Sequence, residues 1–266
     1  MAVRIEKSGS VWTVIHSRPE ARNAMDPESA DALVAAFQAF DADPAADVAV
    51  LWGEGGAFCA GWDLKFVASL TGDRTLAALD FPKGGGKAPR GPLGPTRLEL
   101  SKPVIAAVEG PAVAGGMELA LWCDLRVMAE SAYFGVYCRR WGVPLIDGGT
   151  VRLPRLVGQG RALDIILTGR KVTAEESYSI GACERIAPHG KARAAAEELA
   201  QEIARFPQAC VRSDRASAIA QHGLPVRQAL EREWQTSIGI VNAEGVAGAA
   251  RFAGGTGRHG DFGDIQ

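Results

Sequence analysis

The stretch KPVIAAVEGPAVAGGMELALWCDLRV, residues 102–127, decides how the rest of the chain is read. Val104 to Val108 is a short unbroken apolar run, the pattern of a strand buried on both faces. It passes through Glu109-Gly110-Pro111-Ala112-Val113-Ala114 into Gly115 to Leu121, where a helix is predicted, and Asp124 to Met128 predicts a further strand. The first amides of a helix lack internal acceptors and lie at the positive end of its dipole. Such a terminus favours a developing negative charge. Glu118 stands three residues beyond Gly115 and shares a face with those amides. An amide donor beside a carboxylate suits chemistry in which a carbonyl oxygen becomes an enolate oxyanion while a proton is moved. Packing competes with this reading: small residues at such a turn also serve close approach, and Glu118 among apolar neighbours also reads as a paired structural charge.

A second segment of the same kind lies upstream. Val48 to Trp52 is another buried strand, followed at once by Gly55-Gly56-Ala57-Phe58-Cys59-Ala60-Gly61-Trp62-Asp63-Leu64. Small residues crowd the turn and would let a ligand approach the main chain. Before it, alternation over Val3–Glu6 and Val11–Ile15 around Ser8-Gly9-Ser10 predicts a hairpin. Asp26-Pro27-Glu28 predicts an N-cap with proline at the first helical position, opening a helix over Ser29–Phe40. Strands alternating with helices imply an α/β architecture. Residues 71–95 are rich in Gly, Pro and Lys and read as one long mobile loop. From about residue 160 helices are expected near 160–168, 189–206, 208–221 and 225–241, and the Gly-rich residues 254–266 read as loose.

Bulk properties narrow the function. With 266 residues, 47% hydrophobic, 23% charged and a net charge of −2, the chain has the make-up of a soluble globular protein. No long charged run points to nucleic acid or a membrane surface. Glu109, Glu118, Asp124 and Arg126 interrupt the most apolar region, which argues against a membrane helix. Cys59, Cys123, Cys138, Cys183 and Cys210 are dispersed and read as reduced thiols, and no signal peptide is visible, so a cytoplasmic location is expected. There is no G-x-S-x-G elbow and no G-x-G-x-x-G after the first strand, and Gly84-Gly85-Gly86-Lys87 lacks phosphate-loop spacing. His16, His189, His222 and His259 show no metal-ligand spacing, so no metal and no cofactor are expected.

Several segments, taken together, resemble the crotonase (enoyl-CoA hydratase/isomerase) superfamily over nearly the whole length. His16-Ser17-Arg18-Pro19-Glu20-Ala21-Arg22-Asn23-Ala24-Met25 resembles its R-P-x-x-x-N-A segment, and AFCAGWDL (57–64) its F-x-A-G-x-D motif. Residues 102–127 are similar to its second oxyanion segment. YFG (133–135), GGTVRLPRLVG (148–158) and TGRKVTAEESYSIGACERI (168–186) continue in register. The resemblance implies a spiral of repeated ββα units over residues 1–200 carrying an acyl-CoA site. It implies a helical C-terminal region, 201–266, that drives assembly into a homotrimer or a dimer of trimers. It further implies an oxyanion hole from the N–H groups of Ala60 and Gly115. Arg22, Ala24, Ala57, Ala60, Gly61, Asp63, Leu64, Gly115, Gly116 and Cys138 would border the acyl-CoA, whose CoA is part of the substrate. Glu118 matches the first acid/base glutamate of the hydratases.

The second hydratase glutamate is absent, and Cys138 stands in its place. A neutral thiol is a poor proton donor or base for water, so Cys138 reads as a small pocket-lining residue, or as a thiolate if positive charge lies close. Asp147 is the nearest replacement carboxylate; it reads either as a cap for a helix starting at Gly148 or as the catalytic partner of Glu118. Hydration of a 2-enoyl-CoA to a 3-hydroxyacyl-CoA is the leading expectation. Double-bond isomerisation, which one carboxylate can perform, and acyl-CoA binding with little turnover stand beside it.

Overall fold

The computed structural model describes residues 2–70 and 76–256. Its main sheet begins with the predicted hairpin, β1 (Val3–Ser8) and β2 (Val11–His16), paired antiparallel from Val3↔His16 to Ser8↔Val11. To β2 are added in parallel β3 (Val48–Gly53), β4 (Val104–Val108), β6 (Leu125–Ala129) and β9 (Arg185–Ala187), giving the order β1-β2-β3-β4-β6-β9. A second sheet of three short strands, β5 (Pro111–Val113), β7 (Tyr133–Gly135) and β8 (Lys171–Thr173), lies beside it. From β4 to β7 the chain steps back and forth between the two sheets, and β8 and β9 then complete the second and the main sheet, the spiral winding that the crotonase resemblance implies.

The main sheet is covered on both faces, which is why its central strands read as continuous apolar runs. Trp12, Val14, Ala49, Leu51, Ala106 and Val108 face α1 (Pro27–Ala42) and α3 (Gly115–Trp122). Val11, Val48, Val50, Ile105, Ala107 and Val127 face Ala196, Leu199 and Ala200 of α7 (Ala192–Ala204). The start of α1 is as predicted: Asp26 accepts from Ser29 N at 2.8 Å with Pro27 behind it. Glu109 secures the start of α7 by accepting from Gly190 N at 2.9 Å and Ala192 N at 3.2 Å.

Around the sheets lie α2 (Leu64–Ala68), α4 (Gly149–Val157), α5 (Gln159–Thr168) and α6 (Ala174–Ser179). Beyond α7 the chain forms α8 (Gln208–Ala220), α9 (Val226–Ile240) and α10 (Val246–Ala253), none of which buries a residue. Arg212 to Asp47 and Arg215 to Asp124, both at 2.8 Å, tie α8 to the body. The helix expected to end near 241 instead continues into α10 through one wider turn, Val241–Gly245.

The single mobile loop expected over 71–95 is corrected. Residues 71–75 lie outside the described residues, as do 257–266 of the tail, but residues 91–96 are buried. Gly91 and Gly94 exchange N–H···O bonds at 2.9 Å, and a short helical turn, Pro95–Arg97, follows. Glycine and proline here build a tight packed turn. Among the described residues no helix is long and apolar enough to cross a membrane. All five cysteines are free, four of them buried.

Candidate active site

The two small-residue turns meet. Phe58 N and Cys59 N donate to Pro111 O at 3.0 and 3.3 Å, and Val113 N donates to Cys59 O at 3.0 Å. Gly61 lies so close to the start of α3 that a Cβ there would stand 2.9 Å from Ala114 Cβ and 3.0 Å from Gly115 N. A Cβ on Gly116 would overlap the Cys59 carbonyl. Ala114 itself holds φ 55° and ψ −126°, a conformation that costs an alanine about 1–3 kcal/mol and persists only where the surroundings over-determine it. Ala114 N donates to Gly135 O at 2.7 Å, and Met117 N donates to Ala114 O at 3.1 Å. The strain turns the chain sharply into α3 and leaves the Gly115 amide at its head without an acceptor among the described residues.

The Ala60 amide is differently placed: it donates to Arg22 O at 3.0 Å. Arg22 and Asn23 both adopt left-handed conformations, φ 51° and 55°. Asn23, buried, laces this segment to the first turn: its amide donates to Glu54 O at 2.8 Å and Ala57 O at 2.7 Å, and its carbonyl accepts from Arg18 N at 2.7 Å. Arg18 in turn pairs with Asp63 at 3.1 Å and Asp26 at 3.3 Å. Asp63 caps α2 by accepting from Lys65 N at 3.0 Å.

A cleft of about 490 Å³ opens between these turns. Ala24, Ala60, Asp63, Leu64, Gly115, Glu118, Cys138 and Asp147 all line it, so most of the residues singled out in the sequence converge. Arg22, Ala57, Gly61 and Gly116 do not. Arg22 is exposed and its carbonyl accepts from Ala60 N, Ala57 is buried, and Gly61 and Gly116 make close packing contacts. The walls contain aromatic and apolar residues that local sequence did not single out: Trp62, Leu93, Tyr137, Trp141, Val143 and Ile146.

Glu118 and Asp147 are neighbours at the buried end, each 2% exposed. One oxygen of Glu118, Oε1, accepts from Asp147 N at 2.9 Å and Gly149 N at 2.8 Å. Gly149 has to be glycine, because a Cβ would press on Glu118 Cγ at 2.9 Å. Asp147 does not cap a helix: α4 begins at Gly149 with no side-chain cap, and Asp147 Oδ1 turns away to accept from Leu93 N at 3.0 Å and from the Thr96 hydroxyl. The capping alternative is thereby excluded. Neither Glu118 Oε2 nor Asp147 Oδ2 has a protein partner among the described residues.

Burial raises the Glu118 carboxyl to about 7, against the pull of the Gly149 amide. Burial also raises Asp147, opposed by the Thr96 hydroxyl and the Leu93 amide. The Cys138 thiol is pushed up by burial and then by the Glu118 charge, so the thiolate reading loses its physical basis.

Because Glu118 holds its proton more tightly folded than unfolded, its contribution to stability is complete below pH 4.5 and is lost as pH rises through about 7. Glutamine can accept from the same two amides without titrating. Glu118→Gln should therefore stabilise the protein more at pH 8 than at pH 5. Thermal melts at the two pH values check this, and an equal shift at both would refute it.

A spiral fold carrying a glycine-led amide beside a buried carboxyl pair in an apolar cleft defines a protein of the crotonase class. The sequence profile of the enoyl-CoA hydratase/isomerase family matches residues 6–239. Enoyl-CoA hydratase EchA19 of Mycobacterium tuberculosis is 36% identical over 243 residues, 89% of this chain and 87% of the relative. Carnitinyl-CoA dehydratase of Salmonella typhimurium is 37% identical over 204 residues, 76% and 74% of the two chains. The crystal structure of enoyl-CoA hydratase EchA1 from Mycobacterium marinum superposes with a TM-score of 0.85 at 32% identity, covering 95% of this chain and 96% of that one. The chain belongs to the enoyl-CoA hydratase/isomerase family.

Proposed function

We propose that the protein adds water across the double bond of a 2-enoyl-CoA, giving a 3-hydroxyacyl-CoA, with Glu118 and Asp147 as the acid/base pair. The observation that carries the reading is the meeting of two buried carboxyl groups, one already gripped by main-chain amides, in the cleft that the free Gly115 amide also reaches. Burial raises both carboxyls, and the Asp147 charge adds to the rise at Glu118, so the environment favours a proton on Glu118 while the Thr96 hydroxyl and Leu93 amide favour the ionised form of Asp147. The ionised member takes a proton from water as its oxygen bonds C3. The π electrons pass to an enolate whose oxygen is held by main-chain amides, and the protonated member returns a proton to C2. Nothing beyond the CoA thioester and water is consumed.

In this reading the oxyanion hole pairs Gly115 N–H with Ala60 N–H. The Ala60 amide exchanges the Arg22 carbonyl for the thioester oxygen, a swap of one neutral acceptor for another that becomes favourable as charge develops there. Ala24, Asp63 and Leu64 border the CoA, and Trp141, Val143 and Ile146 the acyl chain.

Steady-state turnover of crotonyl-CoA in ¹⁸O-labelled water tests the reading: ¹⁸O should appear at C3 of the product. Conversion of a 3-enoyl-CoA without label would assign isomerisation instead, and saturable binding without turnover of either substrate would assign a binding role.

We also propose that α8–α10 form the surface through which the chain assembles as a homotrimer, alone or as paired trimers. Val226, Leu230, Trp234, Val246 and Phe252 stand exposed there, an apolar face that a monomer would leave in water. Sedimentation equilibrium at micromolar concentration should return three or six times the 28.0 kDa chain mass. A monomer would remove the proposal.

A further inference from the structure

The turn at residues 91–97, buried over 91–96, reaches Asp147 by two independent routes. The first is direct: the Thr96 hydroxyl and Leu93 N–H, the latter at 3.0 Å, both donate to Asp147 Oδ1. The second runs through Arg152, whose guanidinium donates to Asp147 O at 2.9 Å with one nitrogen and to Thr96 O at 2.7 Å with the other. Arg152 thereby clamps the turn to Asp147, two residues ahead of α4. A third observation shows that the arrangement tolerates no slack. A Cβ on Gly91 would overlap the Thr96 hydroxyl and crowd Asp147 Oδ1, so the residue behind the hydrogen bond has to be glycine. Thr96 is 1% exposed, and its hydroxyl has no competing water-facing role.

We propose that Thr96 is a positioning residue for Asp147: with Leu93 N–H it occupies one carboxyl oxygen and directs the other into the cleft. This rests on the hydration reading, in which Asp147 replaces the carboxylate missing at Cys138. An aspartate is one methylene shorter than the glutamate it substitutes and arrives from a different loop. Its reach therefore depends on an external brace, which Thr96 supplies. The hydroxyl also biases protonation, since a donor to the carboxylate favours the ionised form. The charged and titratable groups that face Asp147 are Glu118 from α3, Arg152 from α4, Arg97 from the turn itself and the buried Cys59 thiol. None of these changes when Thr96 is replaced.

The test uses the full-length enzyme and crotonyl-CoA across pH 5–9. Thr96→Val keeps the shape and removes the donor. It should lower kcat about 10- to 100-fold with KM within about twofold, as loss of a transition-state contribution does. The acidic limb of the kcat profile should move to higher pH, because the carboxylate has lost a donor. Thr96→Ser should restore both kcat and the limb. In an Asp147→Asn background Thr96→Val should cost nothing further. If Asp147→Asn itself leaves kcat unchanged, the hydration reading loses Asp147 and the inference falls with it. If Asp147→Asn is slow while Thr96→Val has wild-type kcat and an unmoved limb, only the inference is overturned. Should Thr96→Val fail to fold, Thr96→Ala read by the same limb decides the matter.

Discussion

Replacing Glu118 by glutamine is expected to lower kcat for enoyl-CoA hydration by about 10²–10⁴, the range that a positioned acid/base contributes. The substitution is chosen because the structure isolates proton transfer from architecture. Glu118 Oε1 does no more than accept from Asp147 N and Gly149 N, and a glutamine carbonyl accepts from both equally well. Gly149, lacking a Cβ, leaves room for the side chain. What disappears is the ability to release and retake a proton near pH 7, where burial has brought this carboxyl. KM should change little, because the residues proposed to border the CoA, Ala24, Asp63 and Leu64, line the cleft from other elements. The measurement is kcat on crotonyl-CoA, with sedimentation confirming assembly. A variant as fast as the parent would remove Glu118 from the chemistry.

Gly116→Ala is expected to be the most damaging single methyl addition in the site. The added Cβ would overlap the Cys59 carbonyl oxygen, and neither partner can yield. Cys59 is strapped to the second sheet by its own N–H to Pro111 O and by Val113 N to Cys59 O, while Gly116 follows the strained Ala114 turn. Overpacking against main chain should cost about 3 kcal/mol. For a chain of this size that corresponds to a fall in Tm of about 6–12 °C. Because Gly115 sits between the strain and the clash, its amide should also be displaced, with a rate loss of at least about tenfold. Gly160→Ala is the control: Gly160 lies in α5 with open space around its Cβ position, and the change should be neutral or stabilising by about 0.5–1 kcal/mol. A Gly116→Ala protein with parental Tm and kcat would show that the two turns are less tightly joined than described.

Local pattern was enough for the elements that position the site, because each has a cause within a few residues. The strands at 48–53 and 104–108 are apolar throughout since both faces are covered, and Asp26-Pro27 caps α1 without help from elsewhere. The placement of Glu118 one turn into α3 follows from a strand running straight into a helix, whereas the strained conformation at Ala114 is visible only in the structure. The second sheet was invisible for an equally local reason. Its strands β5, β7 and β8 are each three residues long, too short to show a period, and exist only because the spiral brings them side by side. The Gly- and Pro-rich segment before residue 97 has the composition of a mobile loop whether it is loose or tightly packed. Only the fit of Leu93 and Thr96 against Asp147 and Gly115 distinguishes the two.

Asp147 marks the division most clearly. Its sequence neighbourhood, an aspartate ahead of Gly148 and a helix, is equally consistent with a cap and with a catalytic group. The side-chain rotamer, set by donors 51 and 54 residues away in the chain, rules out the cap. The sequence by itself determined the family, the strand-to-helix turn that presents Gly115 and the presence of Glu118, because these depend on contiguous residues. Whether a second carboxyl stands beside Glu118, and whether the Ala60 amide is free or held by Arg22, was decided by tertiary structure alone. Both depend on which main-chain donors and acceptors the fold delivers to one place, and no local pattern carries that information.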